Sequence, residues 1–322
     1  MKKLIVLALA ALMLVSCGKP AGNGGDGTES KKEVTTQGQS DVTTNTEGEM
    51  DKINRADPNG DGVFSLLTVG NSFSDDAMEY MYDIAESAGI KKIHLGNLYF
   101  GACRIEQHYK FWSETDDKRN KKYDYRREVN GKGWVTGEKH SDWKEALDDF
   151  NWDYICFQES AQEIQTNESL YVHLQDLMDM AHERCPGALF IYHMPWPNPH
   201  ANYGNSIDKM YADCMKALDT IIDKYGFFEV ITTGTAIQNL RTSYIGYDKT
   251  VRDGWHLSYG VGRYTAGLAF FTQLTGISVE NLEFKPGRVQ AEEKIVAIEA
   301  AMNSAACRRA VTQSQYTEKP KI

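Results

Sequence analysis

The chain has 322 residues, a formal net charge of −10 and a hydrophobic content of 41%. A chain of this length can bury one sizeable core, so a single large domain is expected. The acidic balance, without any long basic run, argues against nucleic acid as a partner.

The N-terminus carries the features of an export signal. Met1-Lys2-Lys3 is positively charged, Leu4 to Val15 is apolar, and the run ends at Ser16-Cys17. This pattern resembles a bacterial lipobox, in which the chain is cut before the cysteine and the cysteine is lipidated. We therefore expect residues 1–17 to comprise a signal peptide and the lipobox cysteine. Cys17 would then anchor the exported chain to a bacterial membrane, on its periplasmic or cell-surface face. An ordinary signal peptide with an incidental cysteine is the alternative.

The segment after the signal is polar. Residues 18–55 are rich in Gly, Ser, Thr, Asn and Gln, which predicts a flexible linker before a domain at 56–322. Asp57 to Gly62 copies the start of a calcium loop. Its twelfth position is Thr68, where such a loop has Glu, so a turn is favoured instead.

The domain begins with a strand followed by a helix. Phe64 to Val69 is β-rich and apolar, and helical spacing runs from Asp75 to Ala88, with Ser74 or Asp75 as the expected N-cap. This order places Ser72 on a strand-to-helix turn. The next strand is predicted from Ile93 to Phe100 and ends at Gly101.

The remaining elements alternate. Runs at 123–129 and 134–136 flank Asn130-Gly131, which predicts a hairpin, inserted at about 110–140. Further strands are predicted at 154–157, 188–193 and 227–231, and helices at 141–150, 170–184, 207–224 and 260–274. Such alternation indicates a three-layer α/β/α fold with a mostly parallel, flavodoxin-like sheet. Ligands of these folds bind beyond the carboxyl ends of the strands.

Gly70-Asn71-Ser72-Phe73-Ser74 is the first motif that can carry chemistry. A serine on this turn projects from the sheet edge, and the N-terminal amides of the following helix face any anion that forms there. The α/β-hydrolase elbow G-x-S-x-G is a poor match, because Ser74 replaces its last glycine and the site follows the first strand. A capping serine and a phosphate-binding turn remain alternatives for Ser72 taken alone.

The second motif is Asp253-Gly254-Trp255-His256, just before a helix rich in small residues. An Asp and a His at this spacing can meet, so that the carboxylate fixes the imidazole tautomer and the other ring nitrogen faces a serine. A solvated Asp beside an unrelated His is the alternative. No third ligand lies nearby for a metal, and neither a metal nor a cofactor is expected.

Together the two motifs resemble the SGNH, or GDSL-type, serine hydrolase superfamily. More narrowly, the blocks at 70–74, 152–158 and 253–258 resemble an uncharacterised SGNH-like family of bacterial lipoproteins, over roughly residues 63 to 275.

This resemblance implies a role for each matching residue. It implies Ser72 as the nucleophile, His256 as the general base and Asp253 as the acid that orients it. It also implies an oxyanion hole made by the amides of Ser72 and Gly101 and by the side chain of Gln158. Gln158 stands where the superfamily has Asn.

Several residues near the predicted strand ends could contact a substrate. Trp196 could stack on a sugar ring, or be a structural tryptophan between prolines. Arg104, His108 and Glu159 could line the pocket. Arg241 either recognises an acidic group or has a structural role, which is favoured.

The function expected from the compartment and the family is a serine esterase that deacylates glycans, for example by removing O-acetyl groups. The partner would then be a glycan or small-molecule ester. A non-catalytic glycan-binding lipoprotein on an SGNH scaffold is the main alternative, and a lipid or thioester hydrolase is another. Fold alone does not separate these.

Overall fold

A seven-stranded sheet forms the centre of the protein. The structure, a computed structural model, describes residues 54–114, 122–160 and 168–322. The strands are β1 (Phe64–Gly70), β2 (Ile93–Tyr99), β3 (Tyr123–Val129), β4 (Val135–Ser141), β5 (Tyr154–Phe157), β6 (Leu189–His193) and β7 (Glu229–Ile231). Their spatial order is β4-β3-β2-β1-β5-β6-β7. The pairs β2–β3 and β3–β4 are antiparallel, and the other four pairs are parallel.

Helices cover the sheet in two groups. They are α1 (Ser72–Met78), α2 (Met81–Ser87), α3 (Ile105–Ser113), α4 (Trp143–Asp148), α5 (Leu174–Arg184), α6 (Ile207–Thr220), α7 (Thr233–Arg241), α8 (Gly246–Thr250), α9 (Val261–Thr275) and α10 (Ala291–Ala306), with short 3₁₀ turns at Glu168–Tyr171, Ala201–Tyr203 and Ile222–Tyr225. Helix α9 contacts α1, α2, α7 and α10, whereas α5 contacts α3 and α4. Right-handed crossovers place these groups on opposite faces. The predicted three-layer α/β/α fold is confirmed.

The central position of β1 sets the place of the site. Every residue of β1 is buried, because β2 and β5 pair with its two edges and helices cover both faces. The sheet extends from β1 on both sides, with β2 added along one edge and β5 along the other, and all three strands are parallel. The turn after β1 therefore lies at the point of the sheet edge where ligands bind in open α/β folds.

Close helix packing holds α1 against α9. Every residue of α9 except Arg263 is buried. A Cβ on Gly267 would lie 3.0 Å from Ile84 Cδ1 and 3.4 Å from the Ala77 carbonyl oxygen, so a larger residue would push α1 and α2 away. The small residues that mark this helix in the sequence thus permit its close approach.

The first helical region differs from its prediction. The periodic stretch 75–88 forms two short helices, α1 and α2, and α1 already begins at Ser72. Asn71 is the N-cap, since its side chain accepts a hydrogen bond from the Phe73 amide at 3.0 Å. The predicted caps, Ser74 and Asp75, lie inside the first turn. The sequence patterns also did not indicate α3, α7, α8 or α10.

The predicted signal peptide, Cys17 and nearly all of the predicted linker lie outside the described residues. Arg55, at the predicted end of the linker, pairs with Glu229 at 2.9 Å, so the packed domain includes it. Asp57 to Gly62 forms a turn, in which Asp57 accepts from the Gly62 amide at 3.1 Å. Within the described ranges, no helix has the length and apolar character needed to cross a bilayer.

Candidate active site

Three side chains predicted to act together form a hydrogen-bonded line. Ser72 Oγ lies 2.8 Å from His256 Nε2, and His256 Nδ1 lies 2.6 Å from Asp253 Oδ2. The serine and the histidine are partly buried, while the Asp253 side chain is about half exposed. This is the arrangement in which imidazole accepts a hydroxyl proton while a carboxylate holds the opposite ring nitrogen.

The turn that carries Ser72 is tightly built. Asn71 Oδ1 caps α1, and Asn71 Nδ2 donates to the Cys103 carbonyl at 2.9 Å, which ties this turn to the loop after β2. A Cβ on Gly70 would lie 2.9 Å from both Gln158 Oε1 and Ser74 Oγ. Glycine is therefore required for the chain to leave β1 at this point.

The loop that carries His256 is held by its own acid. Asp253 Oδ1 accepts hydrogen bonds from the amides of Trp255 at 3.0 Å and His256 at 2.7 Å, while Oδ2 faces the imidazole. Partial burial raises the pKa of Asp253, but these hydrogen bonds and the His256 side chain outweigh it and lower the pKa to about 2. The carboxylate is thus ionised at neutral pH.

Asp76 joins the two halves of the site, and the sequence reasoning missed it. Its carboxylate is fully buried and pairs with Arg252 at 3.1 Å and with Arg263 at 2.6 Å. It also accepts from the Leu257 amide at 2.7 Å, directly after His256. No local sequence pattern marks Asp76, because its partners Arg252 and Arg263 lie more than 170 positions away.

The two backbone amides predicted as oxyanion donors lie on neighbouring turns. Ser72 is in the first turn of α1, where backbone N–H groups have no acceptor within the helix. Gly101 follows β2 and is exposed, and its amide donates no hydrogen bond among the described residues. The Phe100 amide donates to the Gly70 carbonyl at 3.2 Å, so the two turns are neighbours.

The prediction for Gln158 needs correction. Its side chain is buried, and its amide nitrogen lies 3.0 Å from Asn71 Oδ1 and 3.4 Å from the Glu159 carbonyl. Both hydrogens of the amide are therefore used within the protein, and none is offered to a substrate. Gln158 therefore holds the side chain of Asn71 in place through its hydrogen bond to Asn71 Oδ1.

Trp196 and His108 are both buried and so do not offer the substrate contacts considered for them; for Trp196 the structural alternative applies. Trp196 is fully buried, its indole nitrogen donates to the Trp255 carbonyl at 2.7 Å, and its ring packs on Phe73 at 4.6 Å. His108 is also buried, with Nδ1 at 2.8 Å from the Tyr123 hydroxyl. Trp196 therefore supports the His256 loop from inside, and His108 belongs to the core.

Glu159 and Arg104 lie at the start of α3. Glu159, considered as a residue of the pocket lining, is instead buried, and its carboxylate accepts a hydrogen bond from the Ile105 amide at 3.2 Å. It thereby satisfies a free amide of the first turn of α3. Arg104 is exposed just before that helix, so its predicted contact with substrate stays a prediction.

An exposed aromatic surface lies on the His256 loop itself. Trp255 is 37% exposed, and the His200 ring meets it edge-on at 6.0 Å. The Trp255 carbonyl and amide are both held, by Trp196 and Asp253 respectively. The backbone of Trp255 is thus held next to His256, and its ring offers exposed aromatic surface.

Burial keeps two other histidines neutral. Desolvation lowers the pKa of both His108 and His193 to about 3, and His193 Nε2 is 2.7 Å from the Thr233 hydroxyl.

Throughout the part of the chain that the structure describes, no three His, Cys, Asp or Glu side chains are grouped to hold a metal ion.

Comparisons with known proteins identify relatives of the chain. The family "Domain of unknown function (DUF4886)" matches residues 65–304. The crystal structure of a DUF4886 family protein from Bacteroides uniformis ATCC 8492 is 31% identical. It has a TM-score of 0.71, over 78% of this chain and 98% of that one. No curated protein matches.

Two further solved structures overlap more loosely. A protein assigned to the SGNH hydrolases, from Slackia heliotrinireducens, is 18% identical with a TM-score of 0.43, over 63% of this chain and 95% of that one. A protein assigned to the GDSL-like lipases, from Parabacteroides merdae ATCC 43184, is 12% identical with a TM-score of 0.44, over 66% and 95%.

Proposed function

The chain belongs to the DUF4886 family, and we propose that it is a serine esterase that works through an acyl-enzyme. The observation that carries this proposal is the hydrogen-bonded line Ser72–His256–Asp253. If Ser72 only capped a helix or faced solvent, it would not need an imidazole at 2.8 Å from its hydroxyl. It would also not need the Asp253 carboxylate, which orients that imidazole from 2.6 Å.

In the acylation step, Ser72 Oγ attacks the ester carbonyl carbon while His256 Nε2 takes the hydroxyl proton. The carbonyl oxygen becomes an oxyanion, to which the amides of Ser72 and Gly101 donate. The C–O bond to the alcohol then breaks, and His256 passes its proton to the departing oxygen. The product of this step is an alcohol and an acyl group on Ser72.

In the deacylation step, a water molecule replaces the alcohol. His256 takes a proton from the water as its oxygen attacks the acyl carbon, and the Ser72–acyl bond breaks. The proton returns to Ser72 Oγ and a carboxylic acid leaves. Asp253 stays ionised in both steps and stabilises the imidazolium that forms in each.

The proposed substrate is an O-acylated glycan. Because Asp253 is about half exposed and His256 is partly so, a bulky alcohol can reach the serine from the protein surface. Trp255 directly precedes His256 and presents an exposed ring, which suits the apolar face of a sugar. We also propose that a lipid on Cys17 anchors the protein to a bacterial membrane. Extracellular or periplasmic glycans are available at that membrane.

The test is ester hydrolysis by the purified protein. We expect turnover of p-nitrophenyl acetate and release of acetate from acetylated xylan, with lower rates for longer p-nitrophenyl esters. Ser72→Ala should abolish both activities, whereas Ser113→Ala, at an exposed serine of α3, should not. A folded protein without turnover would contradict the esterase proposal and favour a glycan-binding role.

A further inference from the structure

Arg241 is a largely buried cation at the end of α7. Its Nη1 donates to the Pro197 carbonyl at 2.8 Å and to Gln238 Oε1 at 2.6 Å. Its Nε and Nη2 are buried and have no hydrogen-bond partner among the described residues. Burial lowers the pKa of Arg241 to about 10, so the side chain is still charged at neutral pH. Buried charged donors without an acceptor are costly, which points to an anion as the missing acceptor.

The unpartnered edge of the guanidinium is the one that binds anions best. Nε–H and one N–H of Nη2 point the same way from a planar group, and they match the two oxygens of a carboxylate or a phosphate. The neutral acceptors Pro197 and Gln238 occupy Nη1 and leave this fork available.

Arg241 borders a cleft of about 500 Å³. Polar groups of Gln238, Thr242, Tyr247 and Asn205 are among its lining, and Asp208 is its acidic residue. One negative charge already in the wall disfavours a doubly charged phosphate more than a carboxylate. Since Nε and Nη2 have almost no exposed surface, entry of a ligand requires a small rotation of the lining side chains.

Two sets of contacts connect Arg241 with the chain segments that support the Ser72 site. The Arg241 guanidinium lies over the Tyr247 ring at 4.8 Å, and the Tyr247 hydroxyl donates to the Gly254 carbonyl at 2.7 Å, next to Asp253. On its other side Arg241 holds Pro197, which follows Trp196.

From this fork and its cleft, we propose that Arg241 binds a carboxylate of the substrate, so that the glycan is an acidic one that contains a uronic acid. This inference rests on the proposed esterase function, of which it names the substrate class. The ester bond lies at Ser72 and the free carboxylate in the cleft that Arg241 borders.

Binding without turnover tests this inference. We would titrate the protein, and its Ser72→Ala variant, with galacturonate, with the uncharged sugar galactose and with inorganic phosphate in a calorimeter. Galacturonate should bind at least about tenfold more tightly than galactose, because galactose has no carboxylate to pair with Arg241. It should also bind at least about tenfold more tightly than phosphate, because the negative charge of Asp208 repels the more highly charged phosphate. Arg241→Gln should weaken galacturonate binding by about tenfold or more.

The controls separate a ligand role from a structural one. Arg184→Gln removes an arginine from a surface ion pair with Asp148 and should leave galacturonate binding unchanged. No galacturonate binding, equal binding of the two sugars or tighter binding of phosphate would each overturn the inference. Unchanged galacturonate binding in folded Arg241→Gln would do the same. The comparison of the two sugars uses the wild-type protein, so it does not depend on the folding of a variant. Because binding is measured and not turnover, the result is also independent of whether Ser72 is catalytic.

Discussion

The carboxylate of Asp76 accepts a hydrogen bond from the backbone amide of Leu257 at 2.7 Å, across 181 positions of sequence. Asp76 lies on the helix that begins at Ser72, and Leu257 follows His256. Together with the ion pairs from Arg252 and Arg263, this contact fixes the serine helix and the histidine loop to each other.

Asp76→Asn should therefore damage both stability and catalysis. It leaves two arginines without their buried partner, which typically costs about 3–5 kcal/mol of unfolding free energy. We also expect slower hydrolysis of p-nitrophenyl acetate by the folded fraction, because the Ser72–His256 distance is no longer held. Urea unfolding and initial rates would measure these effects.

Glu79→Gln is the matched control, because Glu79 pairs with the same Arg263 at 2.7 Å but on the surface. Its expected loss is below about 1 kcal/mol. Equal stability and equal rates in the two variants would show that Asp76 does not join the two halves of the site.

Asp253→Asn should lower kcat without unfolding the protein. An amide in this position can stabilise the wrong imidazole tautomer, a change that costs about 10⁴-fold in serine proteases. Rates with p-nitrophenyl acetate and thermal melting would be measured side by side. Asp248→Asn, at an exposed acid of α8, provides the comparison and should retain activity. An Asp253→Asn variant with the activity of the wild type would remove Asp253 from the mechanism.

The raised pKa of Asp153 should make the free energy of unfolding depend on pH. Its side chain is fully buried and accepts from the Ser65 amide at 2.8 Å. Burial outweighs this hydrogen bond and raises the pKa of Asp153 to about 6. The folded protein then holds this proton more tightly than the unfolded chain does. The contribution of Asp153 to the free energy of unfolding should therefore fall by about 2–3 kcal/mol as the pH rises from about 4 to about 7.

Comparison with Asp153→Asn isolates this effect, because asparagine does not titrate. The free energies of unfolding of the two proteins, measured in urea at several pH values, should diverge with the sign just given. A difference that is constant between pH 4 and pH 7 would contradict the raised pKa, whatever the absolute loss from the substitution.

Two tryptophans should separate substrate contact from core packing. Trp255→Ala removes an exposed ring and should raise KM for acetylated xylan while p-nitrophenyl acetate is hydrolysed normally. Trp196→Ala empties a fully buried position and should cost about 3–5 kcal/mol of stability. If Trp255→Ala left the xylan kinetics unchanged, Trp255 would not be a sugar-stacking surface.

The order of strands and helices was readable from the sequence because it depends on local periodicity. Strand β5, Tyr154–Phe157, and the hairpin at Asn130-Gly131 lie where their patterns placed them. The break of the first helix into α1 and α2 was not readable, since apolar spacing continues across it. The sequence could suggest that Ser72, His256 and Asp253 meet because Ser72 and His256 each occur beside a helix start in a recognisable motif, and the three side chains do form a hydrogen-bonded line.

The neighbours of the triad were harder to predict, because burial depends on contacts distant in sequence. Trp196 and Glu159 follow strands at the expected edge of the sheet, yet Phe73 covers the first and the start of α3 covers the second. The role of Asp76 depends on two arginines more than 170 positions away. No local pattern carries that information.

The most direct test of the account is covalent labelling by a fluorophosphonate, with the modified residue located by peptide mass spectrometry. We expect the wild-type protein to form a single adduct, on Ser72. The adduct should form more slowly in His256→Ala and should be absent in Ser72→Ala. A folded wild-type protein that forms no adduct, or that forms one on another residue, would contradict the assignment of Ser72 as the nucleophile.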